Sequence, residues 1–138
     1  MSTWTPIIAL HTTLALSSLM LGPMALWARL GRAQRPRWHR ASGYAFVTCM
    51  AGTALSAMFI KSHSFDWLGR FGPIHLLILL TLGSLVQALW ALRQGRILAH
   101  RRTMISLYIT ACLVTGAFTL LPQRLLGQTV WGQWLGWL

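Results

Sequence analysis

The chain has 138 residues, of which 55% are hydrophobic and only 9% are charged, and its mean hydropathy is +0.56. Its 12 Lys and Arg residues face a single acid, Asp66, which gives a formal net charge of +11. Because a soluble domain carries about 25% charged residues, this composition excludes an ordinary cytosolic domain and indicates an integral membrane protein. The single acid also excludes hydrolytic chemistry that needs a pair of carboxylates.

Apolar runs of about 20 residues predict four transmembrane helices. In chain order they lie at about 5–28, 41–60, 71–92 and 103–121. The connections between them are short, so consecutive helices are antiparallel. The expected fold is an all-α integral membrane four-helix bundle, formed by the whole chain as a single transmembrane domain.

The last segment, 124–138, is too short to span a membrane. Its tryptophans recur every third residue, at Trp131, Trp134 and Trp137. This spacing puts the indole rings along one side of a helix, and indole rings favour the headgroup level of a bilayer. We therefore predict a short interfacial C-terminal helix.

The distribution of basic residues predicts the orientation of the bundle. Most of them flank the first-to-second and third-to-fourth connections: Arg29, Arg32, Arg35, Arg37, Arg40, Arg93, Arg96, Arg101 and Arg102. The opposite side has only Lys61, Arg70 and Arg124. Since an excess of Lys and Arg marks the cytoplasmic side, we expect a bacterial inner-membrane protein with both termini in the periplasm. Attraction to anionic lipid accounts for these arginines, and nucleic-acid binding is not needed.

A weak internal duplication divides the chain into two halves. The segments Ala25-Leu26-Trp27 and Ala88-Leu89-Trp90 match, and a His-Arg pair follows each of them. Each half is a helical hairpin, and a whole hairpin restores the direction of the chain. The two copies are therefore expected to be parallel repeats related by an axis along the membrane normal.

Four histidines of this repeat define two levels in the membrane. His11 and His75 lie in the outer parts of the first and third spans, and His39 and His100 precede the second and fourth spans on the inner side. Two histidines at each of two levels are the ligand set of a diheme b-type cytochrome, with both axial positions of each iron filled. The candidate partners for haem propionates are the neighbouring Arg40, Arg101 and Arg102.

Two further pairs occupy matching places in the halves. Tyr44 and Tyr108 follow the inner histidines and either flank a quinone headgroup or belong to the interfacial aromatic belt. Cys49 and Cys112 fall in the middle of the second and fourth spans. We expect these cysteines to be free and to pack as small apolar residues.

The segments beginning His39-Arg40 and His100-Arg101-Arg102 resemble a bacterial family of predicted membrane proteins of unknown function. That family has an early histidine, a His-Arg box before the second span and a second box opening the last helix. The resemblance covers roughly His11 to Arg124, although Thr103 stands where the family usually has Trp. It implies a membrane protein and supplies no activity. The histidine layout is also similar to that of diheme b-type cytochromes, a likeness of architecture only.

The favoured hypothesis is transmembrane electron transfer by a b-type cytochrome with two haem b groups, a quinone being a further candidate ligand. If the protein is an enzyme at all, it is then of the oxidoreductase type. Two other interpretations stay open. One is a non-catalytic accessory subunit of a larger membrane complex, with its tail against a partner or lipid. The other is a carrier that binds a metal or small ligand through the outer histidine pair alone.

Overall fold

The computed structural model describes residues 4–30, 34–60 and 73–137. These residues are mostly helical and include no strand, which confirms the predicted all-α class. The main helices are α1 (Pro6–Trp27), α2 (Pro36–Ala57), α3 (Pro73–Arg93) and α4 (Ile97–Leu107). A π-helical segment, Tyr108–Val114, continues α4 into α5 (Thr115–Thr119), and we call this continuous stretch, Ile97–Thr119, the fourth helix. The charged residues Arg32, Lys61, Asp66 and Arg70 lie outside the described residues.

Three stretches of the described residues are long and apolar enough to cross a membrane: Pro6–Trp27, Ile74–Arg93 and Ile97–Thr119. Four were predicted. The difference is α2, which is as long as α1 at 22 residues but carries Arg37, His39 and Arg40 in its first turns. The chain is thus an all-helical membrane protein with three candidate spans by length and composition.

Two helices begin earlier than the spans expected from hydropathy. Pro36 opens α2, where a fixed φ and a missing N–H suit the first helical position, and α4 opens at Ile97. The prediction that His39 and His100 precede their helices is therefore wrong: each is the fourth residue of its helix. Hydropathy detects the apolar part of a span, whereas backbone hydrogen bonding extends through the charged turn before it.

The core lies where α2, α3 and the fourth helix meet. It consists of Phe46, Met50, Leu85, Leu107 and Cys112. The Cys112 sulfur lies 3.6 Å from that of Met50, and both cysteines of the chain are free, as expected. Along the chain α1 packs on α2, α2 on α3 and α3 on α4, while α1 also contacts the π-helical segment.

Large apolar side chains cover much of the outside of the molecule. Met20 and Leu79, for example, are 72% and 69% exposed. Apolar patches of this extent are a liability in water and are the expected surface of a protein in lipid.

The tail forms α6 (Leu125–Gly127) and a second π-helical segment, Gln128–Trp134. Gly127 packs so closely on the backbone of Leu121 that a Cβ atom would overlap its carbonyl oxygen. This contact docks the tail against the end of the fourth helix.

The prediction of one row of tryptophans along the tail is wrong. The indole Nε1 of Trp131 donates a hydrogen bond to the Leu120 carbonyl oxygen at 2.8 Å. Its ring also stacks on that of Trp137, with ring centroids 5.6 Å apart, whereas Trp134 is 77% exposed. The wider π-helical turn, whose hydrogen bonds join residues five apart, does not preserve a spacing of three. Moreover, Trp137 lies beyond the end of the helix.

Candidate functional site

A cavity of about 560 Å³ lies between α1, α2 and α4. Its walls are mostly apolar, and its volume is typical of small-molecule and cofactor pockets. Leu30 and Leu92 both line it, so the α1–α2 and α3–α4 connections lie at one end of the molecule, here called the arginine end. We call the cavity the histidine cavity. Its polar side chains are Arg29, Gln34, His39, His100, Arg101 and Tyr108.

The imidazole of His39 is held by the helix before it. Its Nδ1 atom lies 2.8 Å from the carbonyl oxygen of Ala25 in the last turn of α1. Carbonyl groups in a last helical turn lack a donor within their own helix. Because a carbonyl only accepts, Nδ1 carries the proton, and Nε2 is the ring nitrogen that this bond leaves for a ligand.

His100 repeats this arrangement in the second half of the chain. Its Nδ1 atom lies 2.9 Å from the carbonyl oxygen of Ala88 in α3. Ala25 and Ala88 are the matching alanines of the two Ala-Leu-Trp segments, so the same bond is made twice. The structure thus brings the two inner histidines to one cavity, and each is bound through Nδ1 to the carbonyl oxygen of the matching alanine.

The outer histidines lie elsewhere. His11 is in the second turn of α1, and its Nδ1 lies 3.0 Å from both the Thr53 carbonyl oxygen and the Ser56 hydroxyl of α2. His75 is in the first turn of α3 and is half-buried. Both therefore lie at the starts of their helices, away from the histidine cavity. His11 binds α2 by the same kind of Nδ1–H to carbonyl bond as the inner pair.

Of the three predicted anion partners, only Arg101 lines the histidine cavity. Arg40 does not line it, and Arg102 lines a separate surface cavity. Adjacency to a histidine was a poor guide, because successive helical residues point about 100° apart. Sequence reasoning missed Arg29, which also lines the cavity and donates to the Gln34 side-chain oxygen at 3.2 Å.

The sequence contained one signal that could have identified Arg29, namely its nearness to Ala25, whose carbonyl oxygen binds His39. Arg29 follows Ala25 by four residues, just beyond α1, and Ala25 also lines the cavity. Arg35, another arginine between α1 and α2, does not line the cavity. Its guanidinium lies 4.3 Å from the centre of the Trp27 ring.

The two tyrosines differ, although the repeat predicts equal roles. Tyr44 is 72% exposed. Tyr108 lines the cavity and donates its hydroxyl hydrogen to the Leu19 carbonyl oxygen at 3.0 Å. Leu19 precedes Pro23 by four residues, and proline has no N–H to give to that carbonyl. The hydroxyl of Tyr108 thus satisfies α1 at its proline.

One glycine makes room for this contact. A Cβ atom at Gly22 would overlap the ring of Tyr108, so only glycine allows the ring to approach α1 this closely. The ring also packs against Phe46, with centroids 6.3 Å apart. Tyr108 is the first residue of the π-helical segment, and such segments are common at functional sites.

The chain matches the family described as "Predicted membrane protein (DUF2306)" over residues 8–136, and it belongs to that family. No curated protein and no solved structure matches the chain. The family assignment confirms the predicted resemblance to a family of membrane proteins of unknown function.

Proposed function

We propose that this member of the family binds haem b between His39 and His100 and transfers electrons at the membrane. One observation carries the proposal: both histidines line one cavity and both donate Nδ1–H to a backbone carbonyl. Histidines that ligate a metal through one ring nitrogen usually donate the other N–H to such an acceptor, which fixes the ring orientation.

Two histidines are the full protein ligand set for a haem of this type, since the porphyrin supplies the other ligands. The apolar walls of the histidine cavity suit a flat macrocycle. Gly43 lines it, and a Cβ atom at that position would meet no other atom within 4 Å, so the wall is open there. Haem held by two imidazoles supplies one-electron chemistry with no open position for oxygen.

Each residue of the cavity has a task in this proposal. The Ala25 and Ala88 carbonyls orient the two imidazoles, so that their Nε2 atoms can bind iron. The apolar lining from α1, α2 and α4 excludes water. Tyr108 seals the cavity against α1 while its hydroxyl stays bound to Leu19.

The proposal includes a four-helix bundle of two parallel hairpins, in which α2 crosses the membrane in addition to the three candidate spans. Support comes from the order of helix contacts, in which α1 closes onto the fourth helix, and from the equivalent His–Ala bonds of the two hairpins. The excess of arginine favours a cytoplasmic location for the arginine end.

A second haem at His11 and His75 belongs to the same proposal. His11 lies near the start of α1 and His75 near the start of α3, at the end opposite the histidine cavity. From His11 to the last residue of α1, Trp27, a helix rises about 24 Å at 1.5 Å per residue. The bond from His11 to Thr53 leaves Nε2 of that ring for a ligand.

The test is an absorption spectrum of the chain purified in detergent from haem-sufficient cells. We expect a Soret band and, on reduction with dithionite, a sharp α band. Haem-to-protein stoichiometry then separates one site from two, with His11→Ala as the variant that lowers it only if the outer site exists. A colourless, iron-free preparation of folded protein would contradict the proposal.

A further inference from the structure

We propose that Arg29 and Arg101 form a carboxylate-binding rim of the histidine cavity and hold the propionates of the haem toward the arginine end. The inference rests on the proposed function, since it names the part of the ligand that these two side chains recognise. It also replaces the sequence-based choice of Arg40 and Arg102 with Arg29.

Both arginines lie at the histidine cavity. Arg29 lies two residues beyond the end of α1 and Arg101 lies in the first turns of α4, and both line the histidine cavity. Gln34 holds Arg29 in place through the 3.2 Å hydrogen bond from its guanidinium, and Gln34 itself lines the cavity.

The excess of positive charge on the chain favours an anionic partner for these arginines. The chain has 12 Lys and Arg residues and one acid, Asp66. The residues that the structure describes contain neither Asp nor Glu, so no side-chain carboxylate among them pairs with Arg29 or Arg101. We assign the anion that pairs with these two arginines to a bound ligand. Arginine suits this role because its planar guanidinium matches a carboxylate with two parallel hydrogen bonds.

The lining of the histidine cavity is polar at the arginine end and apolar elsewhere. Beyond the arginine end, the cavity is lined by apolar residues and glycines such as Gly22, Phe46 and Met104. A ligand that fits both parts has a flat apolar body and carboxylates on one edge. Haem has this shape, and its propionate edge then points toward the α1–α2 and α3–α4 connections.

The experiment compares haem with haem dimethyl ester, in which both propionates are esterified. Apo-protein in neutral detergent is titrated with each compound, and binding is followed at the Soret band. We expect the wild type to prefer free-acid haem, and Arg29→Gln or Arg101→Gln each to lower that preference about tenfold, the scale of a charge-assisted hydrogen bond. Arg40→Gln and Arg102→Gln are matched controls and should leave the preference unchanged.

A second arm separates propionates from lipid phosphate as the anion. The titrations are repeated in nanodiscs of phosphatidylcholine with and without phosphatidylglycerol. If the anionic lipid removes the preference for free-acid haem, the two arginines bind lipid headgroups and the inference is overturned. Equal binding of both haem compounds by the wild type also overturns it while leaving the proposed function standing. Binding of neither compound overturns both.

Discussion

The hydroxyl of Tyr108 donates a hydrogen bond to the backbone carbonyl of Leu19, with the two oxygens 3.0 Å apart. The bond spans the interface between α1 and the fourth helix and replaces the N–H that Pro23 lacks. In a bilayer no water is present to satisfy such a carbonyl, so the protein itself has to supply the donor. Tyr108, the first residue of the π-helical segment, therefore compensates for the N–H that Pro23 lacks in α1.

Replacing Tyr108 by Phe should lower the free energy of unfolding by about 1–3 kcal/mol, because the Leu19 carbonyl loses its donor. Thermal or SDS unfolding in micelles, followed by circular dichroism, measures the loss. Tyr44→Phe is the matched control and should change little, since Tyr44 is 72% exposed. In a Pro23→Ala background the helix regains its own N–H, so Tyr108→Phe should there cost much less. Equal losses in both backgrounds would disprove the compensation.

Gly22→Ala should destabilise the protein by about 1–3 kcal/mol, because the new methyl group overlaps the ring of Tyr108 and forces it away from α1. Gly83→Ala is the comparison in α3, where a Cβ atom meets nothing within 4 Å. That change should stabilise the helix by roughly 0.5–1 kcal/mol. The unfolding midpoints of the two variants should move in opposite directions, and a common direction would contradict the close approach.

His39→Asn separates the structural role of this histidine from the proposed ligand role. The Asn side-chain amide can donate to the Ala25 carbonyl from nearly the position of the imidazole Nδ1, but it does not replace the imidazole as an iron ligand. We expect His39→Asn to keep most of the stability of the apo-protein and to lose the α band of that site. His39→Ala should lose both.

The same pair of substitutions at His100 should behave alike, because its bond to Ala88 is equivalent. Circular dichroism melts of the apo-protein and reduced spectra of the haem-loaded protein are the two measurements. Unchanged spectra in both Asn variants would leave these histidines with a purely structural role.

Trp131→Phe should loosen the tail, because it removes the indole N–H that donates to Leu120 and keeps the aromatic ring. Loss of about 1 kcal/mol should raise the open fraction of the tail roughly fivefold. Trypsin cleavage after the exposed Arg124 reports that opening. Trp134→Phe is the control, with an exposed ring and no expected change in the cleavage rate. Equal rates for the two variants would show that the Trp131 bond does not hold the tail.

The proposed orientation predicts which residues an impermeant reagent reaches in intact spheroplasts. In a background without Cys49 and Cys112, a cysteine placed at Gln94 should react with an impermeant maleimide only after lysis. A cysteine at Trp137 should react before lysis, because the tail would face the periplasm. The reverse pattern would overturn the orientation predicted from the arginines.

Much of the candidate site was visible in the sequence because it depends on chain order. The repeat of Ala-Leu-Trp and His-Arg segments predicted that His39 and His100 lie at the same end, and both line one cavity. Their partners, Ala25 and Ala88, are within the repeated segments themselves. The starts of α2 and α4 were predicted wrongly, because hydropathy does not show where backbone hydrogen bonding begins. The row of tryptophans was predicted wrongly, because hydropathy does not distinguish a π-helical turn from an α-helical one.

The sequence by itself determined the apolar composition, the helical class, the family and the location of the two inner histidines at the same end of the molecule. These follow from amino-acid content and from spacing along the chain. Only the tertiary structure decided that Arg29 and Arg101, but not Arg40 or Arg102, reach the histidine cavity, and that Tyr108 but not Tyr44 binds α1. Those outcomes depend on how each helix is rotated against its neighbours. The Leu19 carbonyl, which receives no N–H from Pro23, and the space at Gly22 allow Tyr108 to bind α1, whereas the other half has Val86 in the place that matches Pro23.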